Sequence, residues 1–322
     1  MNCKVKTTVT TITGEKEIDE LGIIHPHEHL FLKKGVPMQL DASLVLDNYE
    51  KTKNEVILAM SYGVQTIVDA QPIGAGRNAA LLKKVSEEIG INIVACTGFH
   101  KLVFYKNDHW IHRASLEELV ELFVNEITSH LYQDGEDGWP STVIDGKAGL
   151  IKTAADMQGV AGRYFTLFKA AAAASKITNT AIMSHTELGY HALEQIAFYE
   201  NQGIPPEKLI ICHLDRKTEN LEYMLHVAES GVYIELDTIG RYKYHSDEDE
   251  VDMILRLLDK GHENRILLSL DTTNKRMRHY DGGSLGLDYL QVTFLPMLKK
   301  AGVSDSIIRK ITIDNAARAL AK

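Results

Sequence analysis

The chain is short of cysteine, of excess positive charge and of long apolar runs. Its three cysteines, Cys3, Cys96 and Cys212, are odd in number and scattered. That excludes a disulfide framework and a CxxC zinc motif. No window approaches 18 apolar residues, so no membrane-spanning helix is expected. Lys and Arg number 35 against 44 Asp and Glu, a net charge of −9, which argues against nucleic acid and anionic membranes as partners. Met1 to Asp19 alternates Lys, Thr and Val without the apolar stretch of a signal peptide, so a soluble, cytoplasmic protein is expected. No short-period repeat and no low-complexity tract is found. What is present is ordinary for a globular chain, 44% hydrophobic and 25% charged over 322 residues, together with fourteen histidines. That histidine count points toward metal chemistry.

Short β-branched runs alternate with longer helical patterns. The strand-like runs are Gly22–His27, Val64–Ala70, Ile91–Gly98, Gly149–Ala154, Ala181–His185, Leu209–Leu214, Val232–Asp237 and Ile266–Asp271. Most are continuously apolar, as in strands buried on both faces of a parallel sheet. Helical stretches are read at Leu44–Ser61, Asn78–Glu88, Leu116–Ser129, Arg163–Ser175, Ala192–Asn201, Asn220–Glu229, Glu248–Lys260 and Tyr289–Lys300. Eight strands each followed by a helix is the count of a (β/α)8 TIM barrel, an α/β fold of one domain. A doubly wound open sheet competes, but no glycine-rich phosphate fingerprint follows the first strand. The longest interval, about residues 99–148, contains the turn-rich Asp134-Gly135-Glu136-Asp137-Gly138-Trp139-Pro140 and reads as a lid or surface-loop insertion.

Active sites of such barrels lie at the C-terminal ends of the strands. Strand one ends in His25-Pro26-His27-Glu28-His29, strand four carries Lys152, strands five and six end at His185 and His213, and strand eight at Asp271. Two residues apart, His27 and His29 point to one side of an extended segment, with Glu28 pointing away. His25 and His27 form a competing pair of the same parity; the later pair lies nearer the strand end. Lys152 inside an apolar strand either reaches past the rim to solvent, pairs with Asp156 or Glu187, or stands neutral and reactive, open to carbon dioxide as a carbamate. His185 and His213 each have the bland reading of a core histidine bonded to backbone, and Asp271 that of a turn cap. The six together at one rim are far more specific than any one of them.

On these residues the chain resembles the phosphotriesterase family of the amidohydrolase superfamily. The resemblance rests on His27-Glu28-His29, on Lys152 in Gly149-Leu150-Ile151-Lys152, on His185 in Ser184-His185-Thr186, on His213 in Ile211-Cys212-His213, and on Asp271. Asp69-Ala70-Gln71-Pro72-Ile73-Gly74-Ala75-Gly76-Arg77, Asp237-Thr238-Ile239-Gly240 and Asn315-Ala316-Ala317-Arg318 extend it over most of the chain. It implies that His27, His29 and Asp271 hold the more buried of two divalent ions and His185 and His213 the more exposed. Carboxylated Lys152 and a hydroxide would bridge them, and Asp271 would pass the hydroxide proton to the leaving group. Zinc suits such ligands; Mn, Co or Fe also fit. Family members often form homodimers, so the resemblance allows one here.

The loops suggest the substrate. In Leu214–Glu219, Ile239–His245 and Thr272–His279, seven of 21 residues are Lys or Arg: Arg216, Lys217, Arg241, Lys243, Lys275, Arg276 and Arg278. A cationic mouth on an acidic barrel suits a small anionic substrate, with Lys217, Arg241, Lys243, Lys275, Arg276 and Arg278 as phosphate-binding candidates. Against this, the acidic run Asp247-Glu248-Asp249-Glu250 is near enough to neutralise Arg241 and Lys243. The pattern resembles the family branch acting on phosphorylated sugar lactones, such as a pentono-1,4-lactone 5-phosphate. His100, in Gly98-Phe99-His100-Lys101, departs from the Tyr typical of acyl-homoserine lactonases and is a candidate substrate contact, or an ordinary loop histidine. The alternatives are a phosphotriesterase or a hydrolase of non-phosphorylated lactones or esters, a mononuclear deaminase, and a non-catalytic sugar-phosphate-binding protein.

Overall fold

The computed structural model describes residues 7–217 and 221–322. Its main sheet has eight parallel strands: Ile23–Glu28 (β1), Val64–Asp69 (β2), Asn92–Gly98 (β3), Ala148–Ala154 (β4), Ile182–His185 (β5), Leu209–Cys212 (β6), Tyr233–Leu236 (β7) and Ile266–Leu268 (β8). They are hydrogen-bonded in sequence order from β1 to β8. The expected TIM barrel is therefore the fold. Around it lie Tyr49–Ser61 (α1), Ala79–Ile89 (α2), Leu116–Thr128 (α3), Arg163–Thr178 (α4), Ala192–Asn201 (α5), Leu221–Glu229 (α6), Asp247–Asp259 (α7), and Leu295–Lys300 (α8), which continues a wider helical turn at Leu290–Phe294. The helical reading from Asn220 begins on a residue outside those described. α1 starts later than the sequence suggested, because Asn48 caps it by accepting from the Lys51 amide.

Side-chain parity sorts the strands into two cores. Inward residues such as Ile24, Val68, Val94, Cys96, Leu150, Met183, Ile210, Cys212, Tyr233 and Leu267 fill the barrel. Their neighbours Ile67, Ile93, Ile151, Ile182, Ile211, Ile234 and Leu268 pack under the helices. Below the strands, Val9 of an N-terminal hairpin (Thr8–Thr11 with Gly14–Glu17) and Ala316, Ala317 and Leu320 of the last helix, Asn315–Leu320, complete the inner core.

No strand ladder joins β8 to β1 among the described residues; one backbone bond, from the Asp271 amide to the His27 carbonyl at 3.1 Å, and several side chains close the seam. Ser269 Oγ donates to the His27 carbonyl at 2.8 Å and accepts from the His27 amide at 3.0 Å. The Glu28 carboxylate accepts from the Leu270 amide and from the Thr272 amide and hydroxyl, at 2.6–3.1 Å, and lies 2.9 Å from Ser269 Oγ, sharing its one proton with the His27 carbonyl. Gly98 marks another close approach. Its φ is +99°, and a Cβ there would lie 1.9 Å from the Lys152 carbonyl oxygen, so only glycine lets β3 pass beside the lysine of β4.

The 99–148 insertion holds α3 and a small hairpin, Leu131–Tyr132 with Val143–Ile144. His109 Nε2 and Trp110 Nε1 both bond the Gly135 carbonyl, and Lys33 bonds Glu136 and the Gln133 carbonyl. Lys33 thereby fastens the turn-rich tract to the first strand-to-helix loop.

Candidate metal centre and its cavity

The six side chains picked from the strand ends converge. His27 Nε2 lies 3.2 Å from Lys152 Nζ and 3.9 Å from Asp271 Oδ1, and His29 Nε2 is 3.4 Å from that same oxygen. His213 Nε2 is 2.7 Å from His185 Nδ1, and the His27 and His213 rings are 5.1 Å apart. The ambiguity over His25 is resolved by Pro26. The β1–β2 register shifts between His25 and Glu28, as expected where a proline cannot donate to the ladder. Ile24 points into the barrel and His25 does not: its Nε2 meets Gln291 Nε2 at 2.9 Å and its Nδ1 lies 3.2 Å from Glu28. His25 and His27 therefore do not share the parity that plain alternation gave them.

The bland readings of the other residues do not describe this geometry. Lys152 is 1% exposed, and its amine meets His27 Nε2 and Met183 Sδ. Neither proposed partner reaches it, since Asp156 bonds Tyr164 and the Gln158 amide, and Glu187 bonds Lys101 at 2.6 Å. Asp271 caps no turn; its Oδ2 takes Arg216 at 2.7 Å and Arg241 at 2.5 Å. His213 and Asp271 both hold positive φ, 65° and 47°. These are costly conformations for residues with a Cβ, and they gather at functional sites.

Proton positions show that these residues suit cations. Burial lowers His27 and His213 well below the usual imidazole range, Lys152 adding to it at His27 and Arg216 at His213; burial brings His185 down to about 3. All three rings are neutral. His27 Nδ1 faces Glu235 at 2.7 Å and His213 Nδ1 faces Asp237 at 2.6 Å, while His185 Nε2 lies 3.5 Å from Glu187. His213 Nε2 and His185 Nδ1 lie 2.7 Å apart, and with protons on the outer nitrogens both would turn lone pairs to the space between them, as a cation requires. An acidic side chain behind an imidazole is how ligating histidines are oriented. His27, His29 and Asp271 also offer donor atoms within 4.8 Å of one another. The residues fit divalent ions.

Glu235 was not named from the sequence; Arg216 was read only as one of the loop cations, Asp237 only as part of Asp237-Thr238-Ile239-Gly240, and Glu187 only as a possible partner of Lys152. Burial pushes the Glu235 carboxyl up to about 8. The available signal was parity: Tyr233, Glu235 and Asp237 alternate inward along β7, and two acids in a buried strand are as conspicuous as Lys152.

His27, His29, His185, His213 and Asp271 line a cavity of about 380 Å³. Arg216, Arg241, Lys243 and Tyr244 form one side, and Leu40, Leu44, Val103 and Phe104 line it elsewhere. The cations gather round the Tyr244 ring, at 5.4 Å for Arg216, 5.9 Å for Arg241 and 4.7 Å for Lys243. The acidic run does not neutralise them, since Asp247 serves the Gly240 amide and Tyr289 and Asp249 caps α7 with Ser246. Of the six phosphate-binding candidates, Arg241 and Lys243 line the cavity and four do not. Lys217 bonds Tyr190; Arg276 is spent on the Leu270 and Ile239 carbonyls; Arg278 pairs with Asp288; Lys275 is exposed on the turn Asn274–Arg276. His100 does line it, with its ring 5.6 Å from that of His185. Burial, then His185 and Lys152, keep this ring neutral. Its Nδ1 accepts the Lys101 amide at 2.7 Å, so Nε2 carries the proton.

The model of the phosphotriesterase family matches residues 7–320. The phosphotriesterase homology protein of Escherichia coli K12 is 32% identical over 302 residues, covering 93% of this chain and 98% of its own. The phospho-furanose lactonase of Mycoplasmopsis synoviae is 31% identical over 321 residues, covering 97% and 91%. The crystal structure of an amidohydrolase from Mycoplasma synoviae superposes with a TM-score of 0.93 at 29% identity, covering 98% of this chain and 92% of that one.

Proposed function

Since the chain belongs to the phosphotriesterase family and is a metal-dependent hydrolase, we propose that it opens a phosphorylated sugar lactone, of the kind of a pentono-1,4-lactone 5-phosphate. The observation that carries this reading is that Arg241 and Lys243 face the same cavity as the candidate metal ligands. A lactone carbonyl seated over the histidines places a 5-phosphate against those cations. The kinship with a phospho-furanose lactonase supports it.

His27, His29 and Asp271 would hold one ion and His185 and His213 a second, with Lys152 carrying carbon dioxide as a carbamate between them. When bound, divalent ions there would acidify a water and polarise the lactone carbonyl. Zinc is the expected metal, with Mn, Co or Fe compatible. Asp271 receives the proton released in the attack and passes it to the leaving alkoxide. Arg216 and Arg241 grip its Oδ2 and set its orientation. His100, with Nε2–H, donates to a substrate oxygen. Lys243 supplies charge for the phosphate.

A second reading, hydrolysis of a neutral lactone, ester or phosphotriester, draws on Leu40, Leu44, Val103 and Phe104 at the same mouth. The deciding experiment is proton release from a panel of lactones with and without a 5-phosphate, by wild type and Lys243→Met. Preference for the phosphorylated members, with KM raised about 10- to 100-fold in the variant, is expected. Equal rates on neutral lactones would overturn the phosphate reading in favour of the second.

A further inference from the structure

Behind the loop that carries Arg241 and Lys243 lies another cluster of ligating side chains. Asp215 follows β6, Thr238 follows β7, His245 ends that loop, and Glu250 stands in the first turn of α7. Asp215 and Glu250 are 0% exposed and His245 is buried. One donor atom from each of Asp215, His245 and Glu250 lies within 4.8 Å of the others.

The cluster does not satisfy itself. Asp215 Oδ2 accepts the Thr238 amide at 2.6 Å, while Oδ1 has no partner. Glu250 Oε1 has none either, and its Oε2 lies 3.0 Å from His245 Nε2. The Thr238 hydroxyl is 3.1 Å from that nitrogen. His245 Nδ1 sits 2.9 Å from the Ser246 carbonyl; a carbonyl only accepts, so Nδ1 donates there and Nε2 is the ring atom turned toward Asp215 and Glu250. The nearby Arg216 guanidinium is engaged by Asp271. An imidazole nitrogen and two acidic side chains with unpartnered oxygens thus converge in a buried space, an arrangement that a bound cation would satisfy.

We propose that Asp215, His245 and Glu250, helped by the Thr238 hydroxyl, form a further metal site that takes one divalent ion of the zinc class. Two carboxylates balance a divalent charge, so the filled site is neutral in its buried setting. One imidazole beside carboxylate oxygens suits zinc over calcium, which prefers six to eight oxygen ligands. The Ser246 carbonyl behind His245 orients the ring as in known histidine ligation. The ion ties the ends of β6 and β7 to α7 and fixes the intervening loop. Its consequence for substrate binding rests on the phospholactone reading, because Arg241 and Lys243 ride on that loop. Its existence does not.

The test is diffraction at the zinc absorption edge from wild-type crystals grown with zinc, joined to zinc analysis of wild type and Glu250→Gln. An anomalous peak among Asp215, His245 and Glu250 is expected, separate from any at His27 and His213, with one zinc equivalent per chain lost in the variant. No peak there in zinc-loaded wild-type crystals overturns the proposal, and so does a folded variant with unchanged zinc content. Should the variant not fold, the wild-type map decides alone. Failure of the lactone panel leaves this peak unaffected, so the two proposals fall separately.

Discussion

Glu28 Oε2 receives both the amide and the hydroxyl of Thr272, at 3.1 and 2.6 Å. One side chain of the first strand thereby holds the chain just beyond the last, on the C-terminal side of Asp271. Burial alone would raise this carboxyl; bonds from His25, Thr272 and Ser269 outweigh it and hold it below the usual range.

Glu28→Gln should therefore cost more than its size suggests. The groups around the carboxylate are donors, and the new amide NH₂ would face some of them. A loss of about 2–4 kcal/mol is expected from a buried, charge-assisted network, read as a lower urea midpoint at unchanged slope. An unchanged midpoint would show that the seam is held elsewhere.

A carbamate on Lys152 is directly observable. Protein equilibrated with ¹³C-bicarbonate and zinc should give a carbamate carbon resonance that is absent from Lys152→Met, and the variant should hold less than the wild-type zinc. A wild-type spectrum without that signal would leave the lysine as a plain amine.

Asp271→Asn keeps the side chain's shape but removes its capacity to take a proton. Turnover should fall by about 10²–10⁴-fold while the fold, followed by circular dichroism, is retained. A variant within tenfold of wild type would move the proton-transfer role to another group.

The insertion carries a pH dependence of its own. Burial lowers His109 from 6.5 to about 4, opposed by its bond to the Gly135 carbonyl. The unfolded chain takes up a proton near 6.5 and the folded one only near 4, so between those values the unfolded state binds more protons. The contribution is complete above pH 6.5 and is lost as pH falls toward 4, on the order of 1–3 kcal/mol. His109→Gln should flatten the stability profile across that window. An unaltered slope would locate the acid sensitivity elsewhere.

Much of this was legible in the sequence because periodicity and burial share one cause. Buried parallel strands must be apolar throughout, so a lysine, histidine or aspartate within or at the end of one stands out, and His27, His29, Lys152, His185, His213 and Asp271 all did. Parity at β1 was misjudged because a register shift at Pro26 is a property of pairing, and a single strand does not reveal it. The loop cations were harder. Arg241 and Arg276 look alike in sequence, yet one faces the cavity and the other is consumed by backbone carbonyls, a difference set by where the loop turns. The N-terminal hairpin gave only an alternation of Lys, Thr and Val, and the inner half of that pattern meets its partners more than 300 residues later, where the Lys322 amide bonds the Thr8 carbonyl.

That hairpin and the last helix stopper the lower end of the barrel with Val9, Ala316, Ala317 and Leu320. Among the described residues, the cavity over the candidate metal ligands lies at the other end of the strands. On the phospholactone reading, reactant and product share that opening, so a ring-opened acid still held by Lys243 would compete with the next molecule for entry, and its release would weigh on turnover.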